Sequence, residues 1–317
     1  MKNFINLKDC SGREIRSLLN LAQKVKLRPA NYKHIMRGKT LLMIFEKPSL
    51  RTRLSFETGA FQLGGHPIYY DMRTSPMGAG KESIADSVKV ISRFNDIIMA
   101  RLFNHSDIVE MSENASIPVI NALTDYSHPC QVMADLMTID EHKGQLNGIK
   151  LAYLGDANNN VTHSLLFGCA HCGMNISIGC PDDEELKTSS EVLKEAAHIA
   201  AITGSKIEMV HDAHAAAADA DVVYTDSWMS YHIDADRQQE RTSRLKPYQV
   251  DSKVMSRAKP DAIFMNCLPA MRGFEQTAEV IDGPQSVVFD EAENRLYAQK
   301  AVMIRLLTDR EPVEEPS

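Results

Sequence analysis

Thr40-Leu-Leu-Met-Ile-Phe45, Glu46-Lys-Pro-Ser-Leu-Arg-Thr-Arg53 and Leu54-Ser-Phe-Glu-Thr-Gly-Ala-Phe61 follow one another without a break. They read as a strand, a short polar loop and an amphipathic helix. Pro48 confines the residue before it to extended geometry, and the loop then delivers Ser49, Arg51, Thr52 and Arg53 to the start of the helix. Free backbone N–H groups and the positive end of the helix dipole already favour an anion there. Two hydroxyls and two guanidiniums add charge-assisted donors that match phosphate oxygens. The same residues also fit a capped surface helix with solvated arginines, so this segment alone leaves both readings open.

The pattern continues along the chain. Short apolar runs alternate with amphipathic stretches, as in strands and helices built around parallel sheets. The expected strands are 40–45, 66–70, 97–101, 119–122, 150–154, 175–179, 206–210, 222–225 and 262–266. A helix near 131–142, followed by the polar turn Lys143-Gly-Gln-Leu-Asn-Gly148, separates the first four strands from the last five. With 317 residues, two domains are expected. The fold class is α/β: two doubly wound domains, each a central parallel sheet flanked by helices, with ligands at the carboxyl ends of the strands. A final helix spans 293–307, before an acidic tail with two prolines.

Composition narrows the function. The net charge of −7 argues against nonspecific nucleic-acid binding, which needs Lys and Arg to neutralise phosphates. No apolar run approaches the ~18 residues of a membrane span, and the segment Met1–Leu7 lacks the apolar core of a secretory signal, so a cytoplasmic location is expected. The six cysteines, Cys10, Cys130, Cys169, Cys172, Cys180 and Cys267, are scattered and read as free thiols. Cys169-Ala-His-Cys172 lies in a mostly apolar helix, and no second Cys/His pair stands at zinc-finger spacing. Gly155-Asp-Ala-Asn-Asn-Asn160 lacks the glycines that let a dinucleotide pyrophosphate approach a strand end, which excludes the commonest use of such a sheet.

Two further segments decide between the readings of the first. Arg101 follows the strand 97–100, and His128-Pro-Cys-Gln131 opens a helix after the strand 119–122. Taken with Ser49-Leu-Arg-Thr-Arg53, Ala100-Arg-Leu-Phe-Asn-His105 and Ala134-Asp-Leu-Met-Thr138, these segments closely resemble the carbamoyl phosphate motifs of the aspartate and ornithine carbamoyltransferase family. The resemblance covers nearly the whole chain. It implies that Ser49, Leu50, Arg51 and Thr52 hold the phosphate, Leu50 through the backbone of the loop, and that Arg101, His128 and Gln131 hold the carbamoyl end. Attack by a neutral amine builds negative charge on the carbamoyl oxygen, which donors such as Arg101, His128 and Thr52 would stabilise. This chemistry requires no metal and no organic cofactor.

Candidate acceptor groups also follow strands: Asn160 after 150–154, Asp226 after 222–225 and Cys267 after 262–265. Asn160 can bind a carboxylate, and Asp226 can bind an ammonium or orient a thiol. Each has a plainer reading as a turn, a cap or a small buried side chain. The resemblance implies that Asp226 and Cys267 position the δ-amine of ornithine and help it lose a proton, that Leu268 lends its carbonyl to the carbamoyl group, that Arg295 reaches the donor, and that Ser230 and Tyr231 lie in the loop gripping the amino acid. It further implies a carbamoyl phosphate domain of 1–142 with 293–317, an ornithine domain of 143–292, and a C-terminal helix that returns to the first domain. A homotrimer, or a multiple of trimers, is implied as well, with the segment around Met77–Glu82 supplied by a neighbouring subunit.

The chain departs from the family pattern at several positions. Leu50 stands where ornithine enzymes usually have threonine, Asn266 where His is usual, Met271 where a second His is common, and Ser230-Tyr231-His232 where Ser-Met-Gly is typical. Met77 lies where a Gln is frequent, with Lys81 nearby. The amine acceptor therefore has alternatives: putrescine, N-acylornithine, lysine or a shorter diamino acid. A noncatalytic paralogue that binds carbamoyl phosphate is the alternative from another class.

Overall fold

The computed structural model describes residues 1–77, 80–229 and 235–308. The chain forms two compact units, the first from Met1–Ala134 with the C-terminal stretch from Asn294, the second from Asp135–Glu293. Both boundaries fall inside helices, α5 (Pro129–Lys143) and α12 (Val288–Thr308).

In the first unit, β1 (Thr40–Phe45), β2 (His66–Asp71), β3 (Ile97–Arg101) and β4 (Val119–Leu123) form a parallel sheet in the order β2-β1-β3-β4. β3 and β4 are buried throughout, as continuous apolar runs covered on both faces should be. β2 is the edge strand, and its side chains are partly or fully exposed. Helices α1 (Gly12–Leu27), α2 (Leu50–Gln62), α3 (Ile84–Phe94) and α4 (His105–Asn114) complete the unit before α5. A Ser11/Glu14 capping box starts α1, and Pro129 occupies the first position of α5, where its missing N–H costs nothing.

In the second unit, β5 (Lys150–Leu154), β6 (Asn175–Gly179), β7 (Ile207–Val210), β8 (Val222–Thr225) and β9 (Ile263–Met265) form a parallel sheet in the order β7-β6-β5-β8-β9. The following helices are α6 (Asn160–Cys172), α7 (Ser190–Thr203), α8 (Ala213–Ala217), α9 (Gln238–Leu245), α10 (Ser252–Met255) and α11 (Ala278–Ile281). One face of the sheet packs Ala152, Leu154, Val223 and Phe264 against Ala213, Ala216, Ala217 and Val254. Small alanines on α8 allow that helix to lie close to the strands. α6 is buried almost all round, Cys169 and Cys172 included, which makes that pair part of the core.

Each sheet has a switch point where the chain, having left a strand toward one side, returns on the other. It lies between β1 and β3 in the first unit and between β5 and β8 in the second. Crevices at the carboxyl ends of such strand pairs are where α/β sheets hold ligands. The C-terminal helix is longer than expected and starts at Val288, because Asp290 and Glu291 occupy its first turn.

Candidate active site

In the first unit, Phe45 and Arg101 are register partners across β1 and β3, so the loop after β1 opens beside Arg101. Ser49 is the N-cap of α2, its hydroxyl accepting the Thr52 N–H at 3.3 Å. Thr52 is buried and draws two guanidiniums together. Its Oγ1 accepts from Arg101 Nη1 at 3.4 Å and from Arg295 Nη2 at 3.2 Å. Arg295 Nη1 also donates to Gln131 Oε1 at 2.5 Å. Thr52, Arg101, Gln131 and Arg295, far apart in sequence, thus form one connected buried group at the switch point of this sheet.

His128 is buried beside them. Burial pushes its pKa well below the usual imidazole value, and the charges of Arg295, Arg101, Lys47 and Arg51 push it the same way. The imidazole is therefore neutral at physiological pH and can offer one N–H as a hydrogen-bond donor. Leu50 is 68% exposed and is the first residue of α2, where a backbone N–H has no partner within the helix. Arg53 is turned elsewhere: it pairs with Glu57 at 3.0 Å and lies 4.1 Å over the Tyr69 ring, whereas the charge of Arg51 acts on His128.

Lys47 is a member of this group that sequence reasoning missed. It is buried with its Nζ 4.6 Å above the Phe103 ring. Desolvation and the charge of Arg101 lower its pKa to about 8, against the opposing pull of Asp125 and Glu46. Its position between Glu46 and Pro48 was visible, but a lysine in a loop gives no sign of being buried.

In the second unit, β8 and β9 run side by side with Tyr224 opposite Met265, so Asp226 and Cys267 emerge together. The Cys267 thiol donates to Asp226 Oδ1 at 3.0 Å. Burial and the charge of Asp226 hold its pKa well above the ordinary thiol value. Cys267 therefore arrives as a hydrogen-bond donor, and of the two groups the Asp226 carboxylate is the one able to take a proton. Asn266 is fully buried. Its Oδ1 accepts the Leu268 N–H at 2.8 Å and its Nδ2 donates to Gln276 Oε1 at 3.2 Å, which ties down Leu268 at φ 56°. This asparagine shapes the loop by closing a local turn.

Across the switch point, Asn159 caps α6, its side chain accepting from the N–H groups of Val161 and Thr162. Asn160, half-buried, is the first residue of that helix. Trp228 is buried, its backbone N–H donating to Glu275 Oε1 at 3.2 Å and its carbonyl accepting from Arg241 Nε at 3.1 Å. Arg241 is itself buried and paired with Asp156. Ser230, Tyr231 and His232 lie outside the described residues. Met77 is 6% exposed and packs in the core of its own unit with Met72 and Val88, while Lys81 and Glu82 are exposed. Among the described residues, no group of three or more His, Cys, Asp or Glu side chains is placed to hold a metal ion.

The second unit also contains a buried acid cluster that sequence reasoning did not single out. Tyr224 Oη lies 3.2 Å from Asp135 Oδ2 and 3.2 Å from Glu291 Oε1, and Glu291 Oε2 accepts the Asn266 N–H at 3.0 Å. Glu291 lay before the helix expected at 293–307, and nothing local in the sequence marks it as buried.

The site so built belongs to an α/β protein with a buried cluster of cationic side chains at the strand ends of its first unit and a paired carboxylate and thiol after β8 and β9 of its second. The comparisons agree with that class. Residues 2–141 match the family described as the aspartate/ornithine carbamoyltransferase carbamoyl-P binding domain, and residues 147–306 match its Asp/Orn binding domain. The ornithine carbamoyltransferase of Carboxydothermus hydrogenoformans is 48% identical over 310 residues, 96% of this chain and 97% of that one. That of Methanothermobacter thermautotrophicus is 48% identical over 309 residues, 98% of this chain and 100% of its own length. Among solved structures, ornithine carbamoyltransferase from Pyrococcus furiosus aligns with a TM-score of 0.92 at 43% identity, covering 99% of this chain and 98% of that one. The chain belongs to the aspartate/ornithine carbamoyltransferase family.

Proposed function

We propose that this protein transfers the carbamoyl group of carbamoyl phosphate to the δ-amine of L-ornithine, forming L-citrulline and phosphate. The observation that carries the reading is the buried convergence of Arg101, Arg295, Thr52 and His128 at the sheet switch point. Such a concentration of positive charge is unfavourable in an empty interior and suits a doubly charged ligand. Similarity along nearly the whole chain to ornithine carbamoyltransferases supports ornithine as the acceptor.

In this reading, the N–H groups at the start of α2, the Ser49 hydroxyl and Arg51 hold the phosphate. Arg101, Thr52 and the neutral His128 donate to the carbamoyl oxygen as the amine attacks and that oxygen gains charge. Gln131 binds the carbamoyl amide, while Arg295 ties Gln131 to Thr52. Asp226 draws in the ammonium and accepts a proton as the free amine forms. Collapse of the tetrahedral intermediate then expels phosphate, whose charge the arginines already neutralise. Asn160 meets the amino acid's carboxylate from the first turn of α6, and the Leu268 carbonyl meets the carbamoyl nitrogen.

A trimer of copies is part of the proposal. It is supported by an apolar face on the first unit, where Leu50, Leu54, Phe61 and Tyr69 are exposed around a groove of about 780 Å³. Sedimentation equilibrium measures the state directly. A cytoplasmic setting suits the six cysteines, all of them free thiols. No helix among the described residues is long and apolar enough to cross a membrane.

The deciding experiment is a panel of acceptors with carbamoyl phosphate: ornithine, putrescine, N-acetylornithine, lysine and 2,4-diaminobutyrate, assayed for ureido product. Ornithine should have the highest kcat/KM. The acceptor assignment fails if any other amine exceeds it, and the activity assignment fails if none gives product.

A further inference from the structure

We propose that Glu291, bridged to Asp135 by Tyr224, is a positioning residue for carbamoyl transfer: it holds the backbone of Asn266 and through it sets the Cys267–Leu268 step against Asp226. The inference rests on the function proposed above. Its geometry lies within the second unit. Glu291, Asp135, Tyr224 and Asn266 are all fully buried. One Glu291 oxygen accepts the Asn266 N–H at 3.0 Å, and the other lies 3.2 Å from the Tyr224 hydroxyl. That hydroxyl is also 3.2 Å from Asp135.

The geometry bears on the protonation state. Two fully buried carboxyl groups that meet at one hydroxyl disfavour each other's ionisation, so one of them is held as the neutral acid. Burial and the nearby Asp135 raise the pKa of Glu291 well above the ordinary carboxyl value, and burial keeps the Tyr224 phenol neutral. Glu291 therefore carries a proton shared with Asp135, so the pair presents one negative charge. Asp226 and the Cys267 thiol complete the acidic surroundings. A second ionised carboxylate would raise the negative charge behind Cys267, and the neutral acid avoids that while its oxygen still accepts the Asn266 N–H. The Cys267 loop then has three fixed points: Asn266 N–H on Glu291, Leu268 N–H on the Asn266 side chain, and the Cys267 thiol on Asp226.

Because the native group acts as a neutral acid, Glu291→Gln should replace it well. The amide oxygen can accept the Asn266 N–H, and the amide N–H can donate to Asp135. Glu291→Leu keeps the volume and loses the anchor. Steady-state kinetics should show kcat within about threefold of wild type for Glu291→Gln and lower by about 10- to 100-fold for Glu291→Leu, the scale of a misplaced reacting group. Thermal stabilisation by inorganic phosphate, which reads the first unit, should be equal in all three proteins. A general loss of structure would not leave it so. Infrared spectra of protein with carbon-13-labelled glutamate at neutral pH should contain the carbonyl stretch of a protonated glutamic acid, absent in Glu291→Gln.

Equal losses in the Gln and Leu variants, or no such infrared band, would overturn the proposal. So would wild-type kcat in Glu291→Leu. If the Leu variant does not fold, Tyr224→Phe takes its place: a fall in kcat of several-fold with phosphate stabilisation intact supports the bridge, and unchanged kcat refutes it. If wild-type protein yields no ureido product, the proposed function fails, while the infrared band still tests the shared proton.

Discussion

Replacing Arg101 with methionine keeps an unbranched apolar stem in a buried position and removes the guanidinium. In the resting protein that guanidinium is 6% exposed, reaches Thr52 Oγ1 at 3.4 Å and opposes protonation of His128. Losing one preorganised donor to the developing oxyanion costs about 2.7–4 kcal/mol. A further charge-assisted hydrogen bond to the bound donor contributes about 1.5–3 kcal/mol. The two act on one ligand and do not add fully, so kcat/KM for carbamoyl phosphate should fall by about 10²–10⁴. A second signature follows from charge. With Arg101 gone, one cause of the depressed His128 pKa disappears, and the imidazole titrates closer to its ordinary value. Protonation of His128 removes a neutral group from an already cationic site, so the variant should lose activity on the acid side at a higher pH than wild type does. The assay is initial phosphate release with saturating ornithine and varied carbamoyl phosphate, from about pH 5 to about pH 8, the range in which a histidine of ordinary pKa changes charge. A kcat/KM within about threefold of wild type would refute the donor role. An acid limb that does not move would refute the electrostatic coupling.

Other expectations follow from single contacts. Sulfate keeps a constant charge near neutrality, so its binding isolates Lys47: affinity should weaken as pH rises through about 8 and the lysine loses its proton, while Lys47→Arg should bind evenly, with parallel curves in calorimetry counting against the site. Cys267 should react slowly with iodoacetamide at neutral pH because its thiol is held protonated, and Asp226→Asn should speed alkylation by removing a charge that disfavours the thiolate; a slower reaction in that variant would reverse the reasoning. Gly155 has φ +124°, and a Cβ there would sit 2.9 Å from Trp228 Nε1, so Gly155→Ala should cost about 1–3 kcal/mol in urea unfolding, and an unchanged midpoint and slope would refute the reasoning.

Much of the framework was legible before any coordinates. β1, β3, β5, β6 and β8 lie at their expected bounds, since a short buried apolar run between polar turns carries its own limits. The edges of other elements moved for local reasons. β9 is shorter because Asn266 leaves the strand to bind Gln276 and Leu268. α12 begins earlier because acidic residues suit the first turn of a helix. The donor residues were legible as motifs, but their roles were not. Arg51 and Arg53 looked equivalent in sequence, and only packing shows Arg53 paired with Glu57 and stacked on Tyr69.

By itself, the sequence determined which stretches become strands and helices, and which strand ends bear arginine, histidine, aspartate and cysteine. Those properties are local: they depend on side-chain period, turn residues and backbone preferences within a few positions. Only the tertiary structure decided the strand orders, and hence that Arg101 faces the loop after β1 and that Asp226 meets Cys267. It alone decided the protonation of His128, Lys47, Cys267 and Glu291. Burial and neighbouring charge set a pKa, and both come from residues remote in the chain.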